Sequence, residues 1–188
     1  MITIVSGLPR SGTSLMMQML AAGGMPVLTD GTPPPDVNNP KGYFEWSGVR
    51  VLWAGPHALA MAEGKVVKIV SSILHWLRYG HEYQIIFMRR ALNEVLASQN
   101  AMLRERGKEP ALPDEQMTEA LRVHLAEVYI LLGNYSCLYV DHGELIAEPL
   151  LISCRVAQFL YPRMVVNVNA MAACVDSSLY RQRQAAAK

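Results

Sequence analysis

The chain alternates between short apolar segments and longer segments in which apolar residues recur at helical spacing. Four segments are apolar and of strand length: 2–6, 65–70, 83–88 and 136–140. Helical spacing is found between and after them: 13–22, 71–79, 93–106, 113–132, 144–146 and 150–160. Strands that alternate with helices predict a mostly parallel sheet with helices on both faces, which is a three-layer α/β fold. The ligand site of such a fold lies at the carboxyl ends of its strands.

Local signals set several element ends. Asn93 is the predicted N-cap of the helix that it opens, and Gly107 is predicted to end that helix. The segment 29–42 is so rich in proline and glycine that we expect a long and functional loop. The segment 43–62 has helical spacing that a glycine-proline pair interrupts, and the tail 181–188 is predicted to be frayed.

Composition narrows the function classes. The chain has 188 residues with 51% hydrophobic residues and a formal net charge of +1, which predicts one domain over 1–188 and no general affinity for nucleic acid or an anionic membrane. Cys137, Cys154 and Cys174 are widely spaced in apolar surroundings, which is typical of buried thiols rather than disulfides or a metal site. The sequence has neither a signal-peptide pattern nor an apolar run of membrane-spanning length. We therefore expect a cytoplasmic protein.

A glycine-rich turn lies between the first predicted strand and the first predicted helix. Gly7 and Gly12 have the spacing of a P-loop, in which the backbone curls around a phosphate and a helix N-terminus supplies N–H donors. A nucleoside triphosphatase has lysine after the second glycine, where this chain has Thr13. The cation lies within the turn instead, as Arg10. The donors grouped at the turn indicate phosphate binding: Arg10, Ser11, Thr13 and Ser14.

The segment 9–15, Pro-Arg-Ser-Gly-Thr-Ser-Leu, resembles the 5′-phosphosulfate loop of the sulfotransferase family. In that family an arginine at a strand end and a serine eight residues later bind the 3′-phosphate of the nucleotide. Arg90 and Ser98 have this separation, and Arg89 is the alternative if the register differs by one residue. The segment 137–160 is similar to the family's closing strand, loop and helix, so the resemblance spans nearly the whole chain.

The resemblance implies a P-loop fold that transfers a sulfuryl group from 3′-phosphoadenosine 5′-phosphosulfate (PAPS) to a hydroxyl or amine acceptor. The product nucleotide is adenosine 3′,5′-bisphosphate, the acceptor is a small molecule, and no metal is required. The resemblance is also compatible with a homodimer. The implied nucleotide-binding residues are Pro9, Arg10, Ser11, Gly12, Thr13, Ser14, Arg90 and Ser98.

Sulfuryl transfer needs an acceptor in line with the breaking bond, a base, and cations near the bridging oxygen. Arg10 supplies one cation, and Lys68 is similar in position to a lysine that many members place beside the sulfate, unless it caps an exposed strand edge. Many members have a histidine two residues later, where this chain has Val70. Glu45 is the first candidate for the base, unless it serves only a helix dipole, and His75 is the second.

Two other functions fit the sequence. A P-loop kinase or other nucleotide-binding protein would hold magnesium through Asp141 at a strand end, although the P-loop lysine is missing. A catalytically inactive nucleotide-binding domain is compatible with Val70 at the family's histidine position. A preference for adenosine 3′,5′-bisphosphate over ATP with magnesium would separate the transferase from both.

Overall fold

The computed structural model describes residues 1–31, 34, 42–54, 56–77 and 81–180, without the side chains of 51, 53, 54 and 56–58. Most of the predicted loop 29–42 lies outside the described residues, as do the glycine of the predicted break in 43–62 and the predicted frayed tail 181–188.

Within the described residues the chain forms five strands and six α-helices. The strands are β1 (Ile2–Gly7), β2 (Val27–Leu28), β3 (Val66–Lys68), β4 (Tyr83–Arg89) and β5 (Ser136–Asp141). The helices are α1 (Thr13–Ala22), α2 (Leu92–Glu105), α3 (Asp114–Leu132), α4 (His142–Ala147), α5 (Pro149–Leu160) and α6 (Val168–Ala173). Four 3₁₀ helices complete the described secondary structure: Ser47–Ala54, Pro56–Ala62, Ser71–Trp76 and Ser177–Leu179.

The five strands form one sheet in the order β2-β3-β1-β4-β5, and every pair is parallel. This confirms the predicted α/β class. The chain leaves β1 towards β2 and β3 but leaves β4 towards β5, so the strand order reverses between the two central strands. Gly7 at the end of β1 pairs with Met88 near the end of β4. The crevice at this reversal is where a parallel sheet places its ligand.

Both faces of the two central strands are buried, because successive side chains point to opposite faces. Ile85 and Phe87 pack in one core with the 3₁₀ helices and α3, whereas Ile86 and Met88 pack in the other with α1, α5 and α6. Burying one such side chain contributes about 1.5–3 kcal/mol. Layers on both sides therefore hold β1 and β4, and with them the turns that follow these strands, in a fixed position.

The predicted N-cap of α2 is wrong. The helix begins at Leu92, and its N-cap is Ala91, so Asn93 lies inside the first turn. The strand before it extends one residue further than predicted, to Arg89, and the helix follows after a short connection. The predicted end at Gly107 is confirmed, since Gly107 has a φ of +65° and the N–H of Lys108 donates to the Leu103 carbonyl.

Three elements were not predicted: β2, α6 and the 3₁₀ helix Ser177–Leu179. β2 is too short to carry a pattern, and α6 is a single short apolar segment whose N-cap, Asn167, accepts a hydrogen bond from the Ala170 N–H at 3.0 Å. The three cysteines are free thiols, as predicted, but the prediction that they are buried is wrong for Cys154, which is exposed, and Cys137 and Cys174 are only partly buried. Among the helices described, none combines the length and apolar character needed to cross a membrane.

Candidate functional site

A cleft of about 550 Å³ opens at the carboxyl ends of β1, β3 and β4. This volume is within the usual range for small-molecule sites. The cleft is lined by most of the residues singled out in the sequence: Pro9, Arg10, Gly12, Thr13, Ser14, Glu45, Lys68, Arg90 and Ser98. Ser11 and His75 are not among the lining residues. Four separate stretches of the chain thus meet at one site.

The turn between β1 and α1 has a left-handed backbone at two positions that are separated by one residue. Arg10 has a φ of +71° and Gly12 a φ of +100°. Such a backbone costs a non-glycine residue about 1–2 kcal/mol, and residues held in it cluster at functional sites. Gly12 is the N-cap of α1 and has no side chain to bond the first-turn N–H groups. The positive end of the helix dipole therefore faces the cleft.

Ser11 is the residue of this turn whose side chain points into the protein interior. Its side chain is buried, its N–H donates to the Leu8 carbonyl at 3.1 Å, and its Oγ has no hydrogen-bond partner among the described residues. A Cβ on Gly7 would lie 2.5 Å from this Oγ and 2.6 Å from the Met88 carbonyl oxygen. Gly7 is therefore required for close packing of the turn against β4, whereas Gly12 lines the cleft.

Arg90 and Ser98 reach the turn from the far side of the cleft. Arg90 Nη1 donates to the backbone carbonyl of Arg10 at 3.0 Å, and Arg10 Nε donates to Ser98 Oγ at 2.9 Å. The serine thus bonds the loop arginine, a contact that the spacing alone did not reveal. Arg89 points to the opposite face of the sheet, where its guanidinium lies 5.6 Å from the Tyr139 ring centroid. Of the two candidate arginines, the cleft contains Arg90.

Glu94 contacts two residues that line the cleft, Arg90 and Tyr180, and it was not predicted from the sequence. Its carboxylate is only 7% exposed, and it accepts hydrogen bonds from Arg90 Nε at 2.9 Å and from the Tyr180 hydroxyl at 2.8 Å. The Arg90 guanidinium also lies 5.2 Å from the Tyr180 ring centroid. The spacing of four residues between Arg90, just before α2, and Glu94 in its first turn was a signal that could have predicted this ion pair.

Lys68 and Glu45 form a second ion pair at the other end of the cleft. Lys68 Nζ lies 2.6 Å from Glu45 Oε1 and donates to Ser14 Oγ at 3.4 Å and to the Tyr43 carbonyl. Lys68 is 4% exposed and Glu45 42%. Burial lowers the pKa of Lys68, and the hydrogen bond and charge of Glu45 oppose this effect. Since β3 lies inside the sheet, Lys68 does not cap an exposed strand edge.

His142 is a further lining residue that lacked a sequence signal. It follows β5, its side chain is 7% exposed, and its Nδ1 has no hydrogen-bond partner among the described residues. A Cβ on Gly12 would lie 2.5 Å from His142 Cδ2, so the imidazole packs directly against the turn. Burial lowers the pKa of His142 to about 4, and the charge of Arg90 adds to this effect. The ring is therefore neutral at pH 7.

Two sequence candidates lie outside this arrangement. His75 is exposed, and its ring contacts Trp76 on the 3₁₀ helix Ser71–Trp76. Asp141 caps α4, because its Oδ1 accepts from the Gly143 N–H at 2.9 Å and from the Glu144 N–H at 3.4 Å. These bonds give the aspartate a structural role, which weighs against the kinase alternative. Val70 lines the cleft.

Comparison with known proteins finds similarity at the level of the fold. No protein-family profile matches the chain, and curated protein sequences give no match either. Among solved structures, the chain is similar to the sulfotransferase domain from the curacin biosynthetic pathway, with a TM-score of 0.52 and 14% sequence identity. The match covers 95% of this chain and 88% of that domain. At this identity the likeness shows a shared fold.

Proposed function

We propose that this protein transfers a sulfuryl group from PAPS to a hydroxyl or amine group of a small-molecule acceptor. The observation that carries the proposal is the hydrogen bond from Arg90 to the backbone of Arg10. It makes the glycine turn and the cationic site after β4 one continuous surface. Such a surface suits a nucleotide with anionic groups at two positions, and the shared fold with a sulfotransferase domain is consistent with it.

The two ends of the nucleotide have different partners in this proposal. The N-terminus of α1 and the side chains of Arg10 and Ser14 bind the 5′-phosphosulfate. Arg90 and Ser98 bind the 3′-phosphate. That phosphate distinguishes PAPS from ATP, so these two residues set the nucleotide specificity.

The transfer step takes place at the end of the cleft that contains Lys68. The acceptor oxygen or nitrogen attacks sulfur in line with the bridging oxygen, the new bond to sulfur forms, and the bond between sulfur and the bridging oxygen breaks. Lys68 stabilises the negative charge that develops on the departing phosphate oxygen. Glu45 takes the acceptor proton, because it is the partly exposed carboxylate nearest to Lys68.

A second candidate function is nucleotide binding without transfer. It is favoured by Val70, which lines the cleft at the position where many sulfotransferases have a histidine. Release of adenosine 3′,5′-bisphosphate from PAPS in the presence of nucleophilic acceptors would support the transferase. Tight binding of PAPS with no turnover in any acceptor panel would support this second function.

The proposal is tested by calorimetric titration with adenosine 3′,5′-bisphosphate and, separately, with ATP and magnesium. We expect the bisphosphate to bind more tightly. Arg10→Ala and Arg90→Ala are each expected to weaken its binding more than tenfold, because a hydrogen bond to a charged group contributes about 1.5–3 kcal/mol.

Arg89→Ala is the matched control, since it removes an adjacent arginine that does not line the cleft. It should change the affinity less than threefold. Unchanged affinity in both test variants, or a preference for ATP with magnesium, would rule out the proposed function.

A further inference from the structure

We propose that Tyr180 is a positioning residue that fixes Arg90 for the 3′-phosphate and thereby sets the preference for nucleotides that carry this group. The inference rests on the proposed function, because it assigns Arg90 to the 3′-phosphate. Tyr180 follows the 3₁₀ helix Ser177–Leu179 and lines the same cleft, about ninety residues away from Arg90 in sequence.

Three side chains form a closed set of contacts. The face of the Tyr180 ring lies 5.2 Å from the Arg90 guanidinium, and its hydroxyl donates to both carboxylate oxygens of Glu94 at 2.8 Å. Glu94 in turn accepts from Arg90 Nε at 2.9 Å. The ring therefore holds the arginine directly, and the hydroxyl holds it through the carboxylate.

These contacts determine the direction of the guanidinium plane. Nε is directed to Glu94 and Nη1 to the Arg10 carbonyl, so two nitrogens of a rigid planar group are fixed. An arginine side chain loses rotamer entropy when it is ordered. The Tyr180 contacts order the arginine before the ligand binds. Ligand binding therefore does not have to offset this loss of entropy.

The segment that carries Tyr180 is itself held in place. Asp176 is the N-cap of the 3₁₀ helix, and its Oδ1 accepts from the Ser178 N–H at 3.0 Å and from the Ser178 hydroxyl at 2.6 Å. The Tyr180 ring also packs edge-on against His142, with ring centroids 4.9 Å apart. His142 in turn packs against Gly12 of the glycine turn. A large truncation of Tyr180 would therefore disturb both ends of the nucleotide site.

The phenylalanine variant separates these effects. Tyr180→Phe keeps the ring over Arg90 and against His142 and removes only the hydroxyl that fixes Glu94. A positioning role predicts a selective loss: weaker binding of the nucleotide with a 3′-phosphate and unchanged binding of the nucleotide without it. A role in folding alone would lower both affinities together.

The experiment titrates wild-type protein and variants with adenosine 3′,5′-bisphosphate and with adenosine 5′-monophosphate, which lacks only the 3′-phosphate. Tyr180→Phe should weaken bisphosphate binding about threefold to tenfold and change monophosphate binding less than twofold. Tyr180→Leu, which also removes the aromatic face, should lower the ratio of the two affinities further. Tyr161→Phe is the matched control, because Tyr161 is 70% exposed, and it should leave both affinities unchanged.

The outcomes distinguish the two proposals. If wild-type protein prefers the bisphosphate but both Tyr180 variants keep the wild-type ratio of affinities, the positioning role is wrong and the proposed function stands. If wild-type protein binds the two nucleotides equally, the proposed function is wrong and this inference falls with it. A selective loss in the phenylalanine variant supports both.

Discussion

Replacement of His142 by leucine is expected to reduce the pH dependence of the free energy of unfolding. The imidazole is buried against Gly12 and Tyr180, and burial lowers its pKa from 6.5 to about 4. Arg90 acts in the same direction, while the charges of Glu94 and Asp141 oppose it. The folded protein therefore keeps the ring neutral at pH values where the unfolded chain would protonate it.

Proton linkage determines whether the stability contributed by His142 rises or falls with pH. Because His142 binds a proton more tightly in the unfolded chain than in the folded chain, its contribution to stability is fully present above pH 6.5 and is lost as the pH decreases towards 4. The full difference in pKa corresponds to about 3 kcal/mol, at about 1.4 kcal/mol for each tenfold change in proton affinity. Between pH 7.5 and pH 5 the loss through His142 is about 2 kcal/mol.

The assay is urea unfolding of ligand-free protein at pH 7.5 and at pH 5. His142→Leu introduces an apolar side chain at a site where Nδ1 has no hydrogen-bond partner among the described residues, so the fold should tolerate it. The variant should lose about 2 kcal/mol less than the wild type between the two pH values. His75→Leu is the matched control at an exposed histidine and should follow the wild type. Equal losses in the His142 variant and the wild type would refute the reasoning.

The remaining predictions concern the two ends of the cleft. Gly12→Ala combines a φ of +100° with a Cβ 2.5 Å from His142, and it should abolish bisphosphate binding and cost more than about 2 kcal/mol in urea unfolding. Gly24→Ala has a φ of +94° but no atom within 4 Å of its Cβ, so it should cost only about 1 kcal/mol and keep binding; equal costs would show that the contact with His142 is unimportant. Glu45→Gln should keep bisphosphate affinity within about threefold, because Lys68 remains, and lower release of bisphosphate from PAPS by about a hundredfold, the usual contribution of a general base. An undiminished rate would assign the base to another group.

Sequence patterns predicted the elements that are either long or buried on both faces. The apolar runs of β1 and β4 predicted these strands to within one residue, because a central parallel strand must be apolar throughout, and the run of β5 at the sheet edge predicted that strand equally well. β2 has two residues and α6 has six, too few for a period to emerge. The N-cap of α2 was misplaced because asparagine is a good cap in general, whereas this helix starts next to a strand and has alanine there.

The site was predictable where its residues lie in one local segment. The glycine turn could be interpreted from spacing alone, since a phosphate loop is built from consecutive residues. His142 and Tyr180 could not, because they join the site only when β5 and the 3₁₀ helix Ser177–Leu179 are placed beside the turn. Glu94 is intermediate: its helical spacing from Arg90 was visible, but its burial and its bond to Tyr180 were not.

The Lys68–Glu45 and Arg90–Glu94 ion pairs differ in a way that suits different parts in the proposed reaction. Both cations are buried, so an unpaired charge at either site would be costly in the free protein. Glu45 is partly exposed, and water can solvate its carboxylate when it leaves Lys68, so we expect exchange of Glu45 for a sulfate oxygen to cost little. Glu94 is buried and held by Tyr180, so we expect the Arg90 pair to stay intact when a ligand binds. The transfer end of the cleft can therefore rearrange during a catalytic cycle, whereas the end that would recognise the 3′-phosphate is rigid.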